Sequence, residues 1–405
     1  MTEKNQSTLA CCSPRENPAG LELMNRTLPM FTPPNEDGEV CCGPKQGPRS
    51  NLFEKPGYRI QSYVEDFITT PLGPVPKIKT RLDRRDLLGS FGVRVGFGRN
   101  DYKVAPGLYA LGRPDSDSIV LVTANYKLSF DTLRKEMADM NAWLLVLDTR
   151  GINVWCAAGK KNFSSEEVIS QVKNTNLEKI VSHRKLILPQ LSATGVSALQ
   201  VKKGCGFEVI WGPIRARDIK AFLSARYQAD KSMRLVTFTL SERLVLTPVE
   251  GTQVIKPLLL VLLIMFILSG IGPGIFSLTD LWHRGLIAAV SVMLGVVSGM
   301  FFTPVLLPWV PFRSFSLKGA VTGLFFGLVL ISLYFHPMNL LSSLALLLLI
   351  VTLSSYLAMN FTGSTPYTSP SGVEKEMRRA IPWQSAAAIL GLIIWVVSAF
   401  IHPFI

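Results

Sequence analysis

Two apolar patterns divide the chain. Between Phe91 and about Thr239, short apolar runs alternate with amphipathic segments, whereas from Pro257 onward long apolar stretches dominate. Ser118-Ile-Val-Leu-Val122, Trp143-Leu-Leu-Val-Leu147, Leu186-Ile-Leu188, Phe207-Glu-Val-Ile-Trp211 and Leu235-Val-Thr-Phe238 have strand length and the character of buried strands. Between them, Ser129 is expected to cap a helix carrying Phe130, Leu133, Met137 and Met140 at three- and four-residue spacing. Ser164 and Glu167 form a capping box opening a helix through Val168 and Val172. Ile219, Phe222 and Leu223 mark another helix. Strand–helix alternation with continuous apolar strands predicts a parallel sheet covered on both faces. Such a Rossmann-like α/β sheet binds ligands at the carboxyl ends of its strands.

Residues 1–56 are rich in Pro, Gly, Asn and Glu without periodicity and read as a mobile tail with vicinal cysteines. Pro56-Gly57 is expected to open an amphipathic helix with Tyr58, Val64 and Phe67, followed by a connector from Pro71 to Pro76. Five apolar stretches, about 257–276, 285–309, 319–335, 338–360 and 383–404, predict an all-α transmembrane domain of five helices, the third and fourth paired as a tight hairpin around His336-Pro337. The expected organisation is therefore a tail (1–56), a soluble α/β domain (57–250) and a membrane domain (251–405).

Charge sharpens this division. Of 42 Lys and Arg, only Arg284, Arg313, Lys318, Lys375, Arg378 and Arg379 follow Lys256, together with three of the 29 acidic residues. With the soluble domain in the cytoplasm, five of these cations fall in inner loops and Arg284 in an outer one, which satisfies the positive-inside rule and places a multi-pass protein in the cytoplasmic membrane. None of the five stretches contains Asp, Glu, Lys or Arg, so an anchor or docking platform is favoured over a transport path. The first ten residues lack the apolar stretch of a signal peptide. Vicinal pairs among six cysteines indicate free thiols in a reducing compartment. The net charge of +13 comes without a basic run interleaved with aromatics, so nucleic acid is not an expected partner.

Candidate chemistry concentrates after the strand ending at Leu147. Asp148-Thr-Arg-Gly151 leads to Ile152-Asn-Val-Trp-Cys-Ala-Ala-Gly-Lys160. Asn153 is a good N-cap, placing Cys156 at the third helical position, where the helix dipole is expected to stabilise a thiolate. Ala157, Ala158 and Gly159 offer a small surface on which a planar ligand could lie, and Lys160 adds charge at the rim. Cys156 reads equally well as a small buried residue. Cys205 is expected to be structural, and the four histidines are scattered. Gly96-Phe-Gly98 lacks the third glycine of a dinucleotide fingerprint.

The segment Asn153-Val-Trp-Cys-Ala-Ala-Gly-Lys160 resembles the cap-helix signature of the mercury-methylating corrinoid proteins. Val122-Thr-Ala-Asn-Tyr-Lys-Leu-Ser-Phe-Asp131, Gly212-Pro-Ile-Arg-Ala-Arg-Asp218 and the five-span domain extend that likeness, and the stretch from Phe361 to Met377 resembles the wider corrinoid iron–sulfur protein family. The resemblance implies a corrinoid-binding domain for a cobalamin-type cofactor, held by Asn153, Val154, Trp155, Cys156, Ala157, Ala158, Gly159 and Lys160, with Cys156 as lower axial ligand to cobalt. It implies a methyltransferase of anaerobes that passes a methyl group from a methylated pterin carrier to Hg(II), forming methylmercury. A thiolate opposite the methyl group, being a strong donor, favours its departure as a carbanion equivalent.

Cys11, Cys12, Cys41 and Cys42 lack the spacing of a four-cysteine cluster, so the implied electron donor is a ferredoxin-like protein with two [4Fe–4S] clusters. These tail thiols suit capture of soft Hg(II), or are incidental. The alternative keeps the corrinoid and drops mercury, making the protein a methyl carrier of acetyl-CoA pathway metabolism. A transporter with a regulatory domain and a thiol-dependent oxidoreductase are weaker rivals.

Overall fold

The computed structural model describes residues 48–50, 54–99, 101–334, 339–361 and 370–401. Cys11, Cys12, Cys41 and Cys42, together with His336-Pro337 and most of the polar stretch after Phe361, lie outside the described residues.

The α/β part is a seven-stranded sheet in the order β1-β2-β3-β5-β4-β6-β7. Its strands are β1 (Val64–Thr70), β2 (Gly73–Ile78), β3 (Gly107–Leu111), β4 (Val120–Ala124), β5 (Ala142–Leu147), β6 (Lys185–Leu188) and β7 (Glu208–Trp211). The apolar runs become β4 to β7, and these pair in parallel. Their alternate residues feed two cores. Val120, Val122, Leu145 and Leu147 meet Val168 and Val172 of α4 (Ser165–Asn174) and Val201 of α5 (Ala198–Cys205). Leu121, Leu144 and Val146 meet Phe130 and Leu133 of α2 (Lys127–Glu136) and Phe222 of α6 (Ile219–Ser224). Both faces are covered, which is why these strands carry no polar alternation.

The sheet is mixed rather than wholly parallel. β3, unanticipated because its run is short, pairs antiparallel with β5. The expected helix at 57–67 and the connector at 71–76 are instead the antiparallel hairpin β1–β2. Thr70 closes it, donating from Oγ1 to the Gly73 carbonyl at 2.7 Å. Pro74 and Pro76 lack N–H groups, and β2 pairs with β3 only at Lys77 and Ile78. Leu235–Phe238 forms no strand; it leads into α7 (Leu240–Ser269), whose capping box joins Thr239 and Glu242.

Ser129 does not cap α2, which starts at Lys127 because that side chain is drawn into a buried ion network. Lys127 Nζ lies 2.6 Å from Asp86 Oδ1 and 2.6 Å from Asp131 Oδ2, while Arg134 reaches Asp86 at 2.6 Å and Asp131 at 2.8 Å. Two cations balance two anions, and the network ties α1 (Arg84–Arg94) to α2. The box expected at Ser164 is half formed: Ser164 Oγ accepts from Glu167 N, but the Glu167 carboxylate accepts from Asp148 N at 2.9 Å.

Among the described residues four helices, rather than the expected five, are long and apolar enough to cross a membrane: Leu278–Leu306, Phe315–Leu333, Leu340–Asn360 and Gly372–Ile401. The first predicted stretch is the shorter apolar end of α7, Val254–Ser269. The spans belong to α8 (Leu278–Val297) continuing through a π turn into α9 (Thr303–Leu306), then α10 (Phe315–Tyr334), α11 (Leu340–Asn360) and α12 (Pro370–Ile401). α11 lies in a trough made by Gly319, Gly323 and Gly327 of α10; a Cβ on Gly323 would come 2.7 Å from Ser354 Cβ.

Two charges expected in loops are lodged in this bundle. Arg284 lies within α8, its guanidinium donating to the Trp395 carbonyl at 2.5 Å and stacking 4.6 Å from the Trp395 ring. Lys318 donates to the Leu307 and Val310 carbonyls at 2.6 and 2.5 Å, capping the end of α9. The helices are therefore not free of charge as the apolar stretches suggested: α8 begins earlier and takes in Asp280 and Arg284.

The ion network yields a test. Burial alone would push the Asp86 carboxyl up, but hydrogen bonds from Lys127 and Arg134 and from the Asp83 backbone hold it at about 2. A carboxylate depressed below its usual value of about 3.9 contributes stability that is present above that pH and lost as pH falls toward 2. Arg134→Met leaves buried carboxylates short of one cation, so we expect about 3–5 kcal/mol of destabilisation at neutral pH in detergent-solubilised protein. Denaturant titration of the full chain measures it, and the loss should shrink at acid pH.

Candidate functional site

The order of the parallel strands creates one crevice. From β4 the chain passes through α2 to β5 on one side, then crosses back to β6 on the other. The carboxyl ends of β4 and β6 thus flank a topological switch point, where open α/β sheets bind ligands. The short helix α3 (Val154–Gly159) packs against the end of β4 and the 3-10 turn Gln190–Ser192 that follows β6, so it sits across this crevice.

A hub of hydrogen bonds launches α3. Asn125, just past β4, accepts at Oδ1 from Thr149 N (3.1 Å), Thr149 Oγ1 (2.9 Å) and Gly151 N (2.9 Å), and donates from Nδ2 to Asp148 Oδ1 at 3.1 Å. Arg150 and Gly151 take positive φ to make the turn. Asn153 then caps α3, its Oδ1 accepting from Cys156 N at 2.9 Å. Asn125 was not singled out by the sequence reading; its position directly after a strand and before a helix is the signal that could have marked it.

Side chains of α3 divide sharply. Ala157 and Ala158 are buried in the core beside Phe163 and Val168, so their methyl groups do not form the flat outer surface expected of them. Trp155 is exposed and Cys156 half-buried, and a Cβ at Gly159 would meet no atom within 4 Å. The outward surface of α3 is therefore Trp155, Cys156, Gly159 and Lys160. Gly195 allows the close packing underneath, since a Cβ there would stand 2.2 Å from the Phe163 carbonyl.

The thiol also departs from expectation. Burial pushes the Cys156 thiol up; Arg99, the Asn153 side chain and Lys160 pull the other way without prevailing. One short helix turn does not outweigh desolvation. Cys205 lies at the carboxyl end of α5, shortly before β7 begins, and donates to the Val201 carbonyl at 3.2 Å. Among the described residues no group of three or more His, Cys, Asp or Glu is placed to hold a metal ion.

Two outcomes follow. Asn125→Leu strands the buried Thr149 and Gly151 N–H groups, each costing about 1–3 kcal/mol, and we expect a lowered melting temperature together with faster proteolysis at 148–160. For Cys156, we expect alkylation by iodoacetamide in the folded protein to rise at higher pH than in the denatured chain, followed by peptide mass spectrometry. Coincident pH profiles would mean that burial does not control the thiol.

Comparison with known proteins places this site within a shared segment. Residues 98–223 match the family described as CO dehydrogenase/acetyl-CoA synthase delta subunit. The gamma subunit of the acetyl-CoA decarbonylase/synthase complex of Methanopyrus kandleri is 34% identical over 127 residues, 31% of this chain and 27% of that protein. The same subunit of Methanocaldococcus jannaschii is 35% identical over 108 residues, 26% of this chain and 22% of that one. The corrinoid/iron-sulfur protein large subunit of Moorella thermoacetica is 30% identical over 125 residues, 30% and 28% of the two chains. The chain spans about a quarter of the length of these relatives. These findings correct the mercury reading. The similarity is to subunits of acetyl-CoA decarbonylase/synthase complexes, so the assignment to mercury-methylating proteins, the activity of an Hg(II) methyltransferase, and the ferredoxin, methylated-pterin and Hg(II) partners are all withdrawn.

Proposed function

We propose that the α/β domain is a corrinoid-binding methyl carrier of one-carbon metabolism, working with partner subunits of the acetyl-CoA decarbonylase/synthase kind, and that the helices beyond Val254 hold it at a membrane. The observation that carries this reading is the position of α3: it spans the switch-point crevice, offers one free thiol there, and lies inside the segment similar to corrinoid and acetyl-CoA decarbonylase/synthase subunits.

The residues present fit a planar cofactor approached from the outer side of α3. Gly159 leaves open space, Trp155 offers an exposed aromatic face, and the buried Nδ2 of Asn162, just beyond the helix, has no hydrogen-bond partner among the described residues. Asn153, Val154 and the buried pair Ala157 and Ala158 would keep α3 in place, while Cys156 would offer the metal a sulfur donor and Lys160 a charge at the rim. A bound cobalamin-type corrinoid supplies cobalt as the carrier of the methyl group.

The protein's part is to hold and tune that group. Cys156 Sγ must lose its proton to serve as a ligand, and Arg99 and Lys160 lower the cost of doing so. Asn125 keeps the loop before α3 rigid, which fixes the sulfur relative to the sheet. Arg313 precedes α10, and Lys375, Arg378 and Arg379 lie in the first part of α12, where Glu376 accepts from Ser314 and Ser316; this cluster of cations at one end of the bundle supports a cytoplasmic-membrane location with the α/β domain inside.

Gly159→Leu tests the reading. The open space on α3 makes the substitution cheap for folding, and it removes a glycine from a helix. We expect an unchanged or slightly raised melting temperature and a several-fold fall in cobalt per polypeptide in protein purified anaerobically. Full cobalt occupancy in this variant would move the cofactor away from α3.

A further inference from the structure

Helix α1 stands out because its inward and outward faces invert the usual order. The face packed on the domain carries the charge, with Asp86 in the ion network beside buried Val93. The opposite face is apolar and open: Leu88 is 70% exposed and Phe91 66%, with Leu87 beside them and Phe97, at 71%, in the turn that follows. Exposed Arg84, Arg85 and Arg94 flank this apolar stripe, while the acids of the helix are either buried or engaged, Asp86 in the network and Asp83 as N-cap. An apolar centre with a basic margin is the pattern of a helix lying in a membrane interface.

The position of α1 supplies the second argument. It packs against α7, the helix whose later part is apolar. Near the start of α7, Arg243 donates to the Val305 carbonyl at 2.7 Å and lies 5.6 Å from the ring of exposed Trp309. Phe238 and Leu246 pack on Leu307, Phe315 and Phe361, which cap the ends of the membrane helices. Exposed Trp309 and Phe312 with Arg313 are the residues that mark a bilayer surface. The foot of α7 is therefore already at headgroup height, and α1 leans on α7.

We propose that α1 and the Phe97 turn dock into the surface of an anionic bilayer. Leu87, Leu88, Phe91 and Phe97 enter the boundary between headgroups and acyl chains, and the three arginines meet lipid phosphates.

Photocrosslinking of the full-length protein tests this. Phe91 is replaced by p-benzoylphenylalanine, a change of similar character at an exposed position, and the protein is placed in nanodiscs containing phosphatidylglycerol. Lys173, exposed on α4, is replaced in the same way as a control. After irradiation we expect phospholipid adducts on the peptide containing position 91 and none at 173. The yield should fall at least threefold in pure phosphatidylcholine discs and in the Arg84→Glu/Arg85→Glu variant. Adducts at 91 to another part of this chain, to a second copy or to a copurified protein would overturn the proposal. So would the absence of any adduct, or equal lipid adducts at 173.

Discussion

The candidate site at the crevice depends on one side chain amide. Asn125 stands where β4 ends, and its carbonyl oxygen gathers donors from Thr149 and Gly151 while its NH2 holds Asp148. Without that hub, the chain leaving β5 has no reason to turn back over the crevice, because α3 is too short to be stable alone. With it, two parallel strand ends, a positive-φ turn and the Asn153 cap act as one unit that sets Cys156 across the switch point. Buried networks of this kind are costly when broken and specific when complete.

The two halves of the chain solve the same problem of close approach with different residues. In the α/β domain, Gly195 lets the segment after β6 pass directly beneath α3. In the bundle, glycines at four-residue spacing on α10 admit α11, and hydroxyls satisfy what the lipid cannot: Ser354 Oγ donates to the Gly319 carbonyl at 2.6 Å. Between the halves, Arg215 bridges Glu242 at 2.5 Å, tying the loop after β7 to the foot of α7.

Much of the fold was legible because burial leaves a plain mark. β4 to β7 are continuous apolar runs, and helix spacing located α4 and α6. The β1–β2 hairpin was hidden by prolines that strands ordinarily avoid, yet Pro74 and Pro76 stand in register with β1 at positions where β2 does not pair with β3 on its other side. Arg284 was read as a loop residue because apolar windows exclude charge; in the bundle its guanidinium is satisfied by backbone carbonyls and an aromatic face. At the site, the Asn153 cap could be read from its neighbours, whereas the inward turn of Ala157 and Ala158 and the upward push of burial on the Cys156 thiol depend on what packs around α3. The mercury assignment failed for a related reason. An eight-residue motif describes how a helix is built and says nothing of what a methyl group would be passed to, whereas the similarity over residues 98–223 points to acetyl-CoA decarbonylase/synthase subunits.

The measurement closest to the central claim is X-ray absorption at the cobalt edge of the full-length protein purified anaerobically. A corrinoid held at the crevice by Cys156 predicts cobalt with a sulfur neighbour in its coordination shell, and loss of that sulfur in Cys156→Ala while the protein remains folded. Cobalt absent from the wild-type protein, or cobalt with only nitrogen and oxygen neighbours in both proteins, would contradict it.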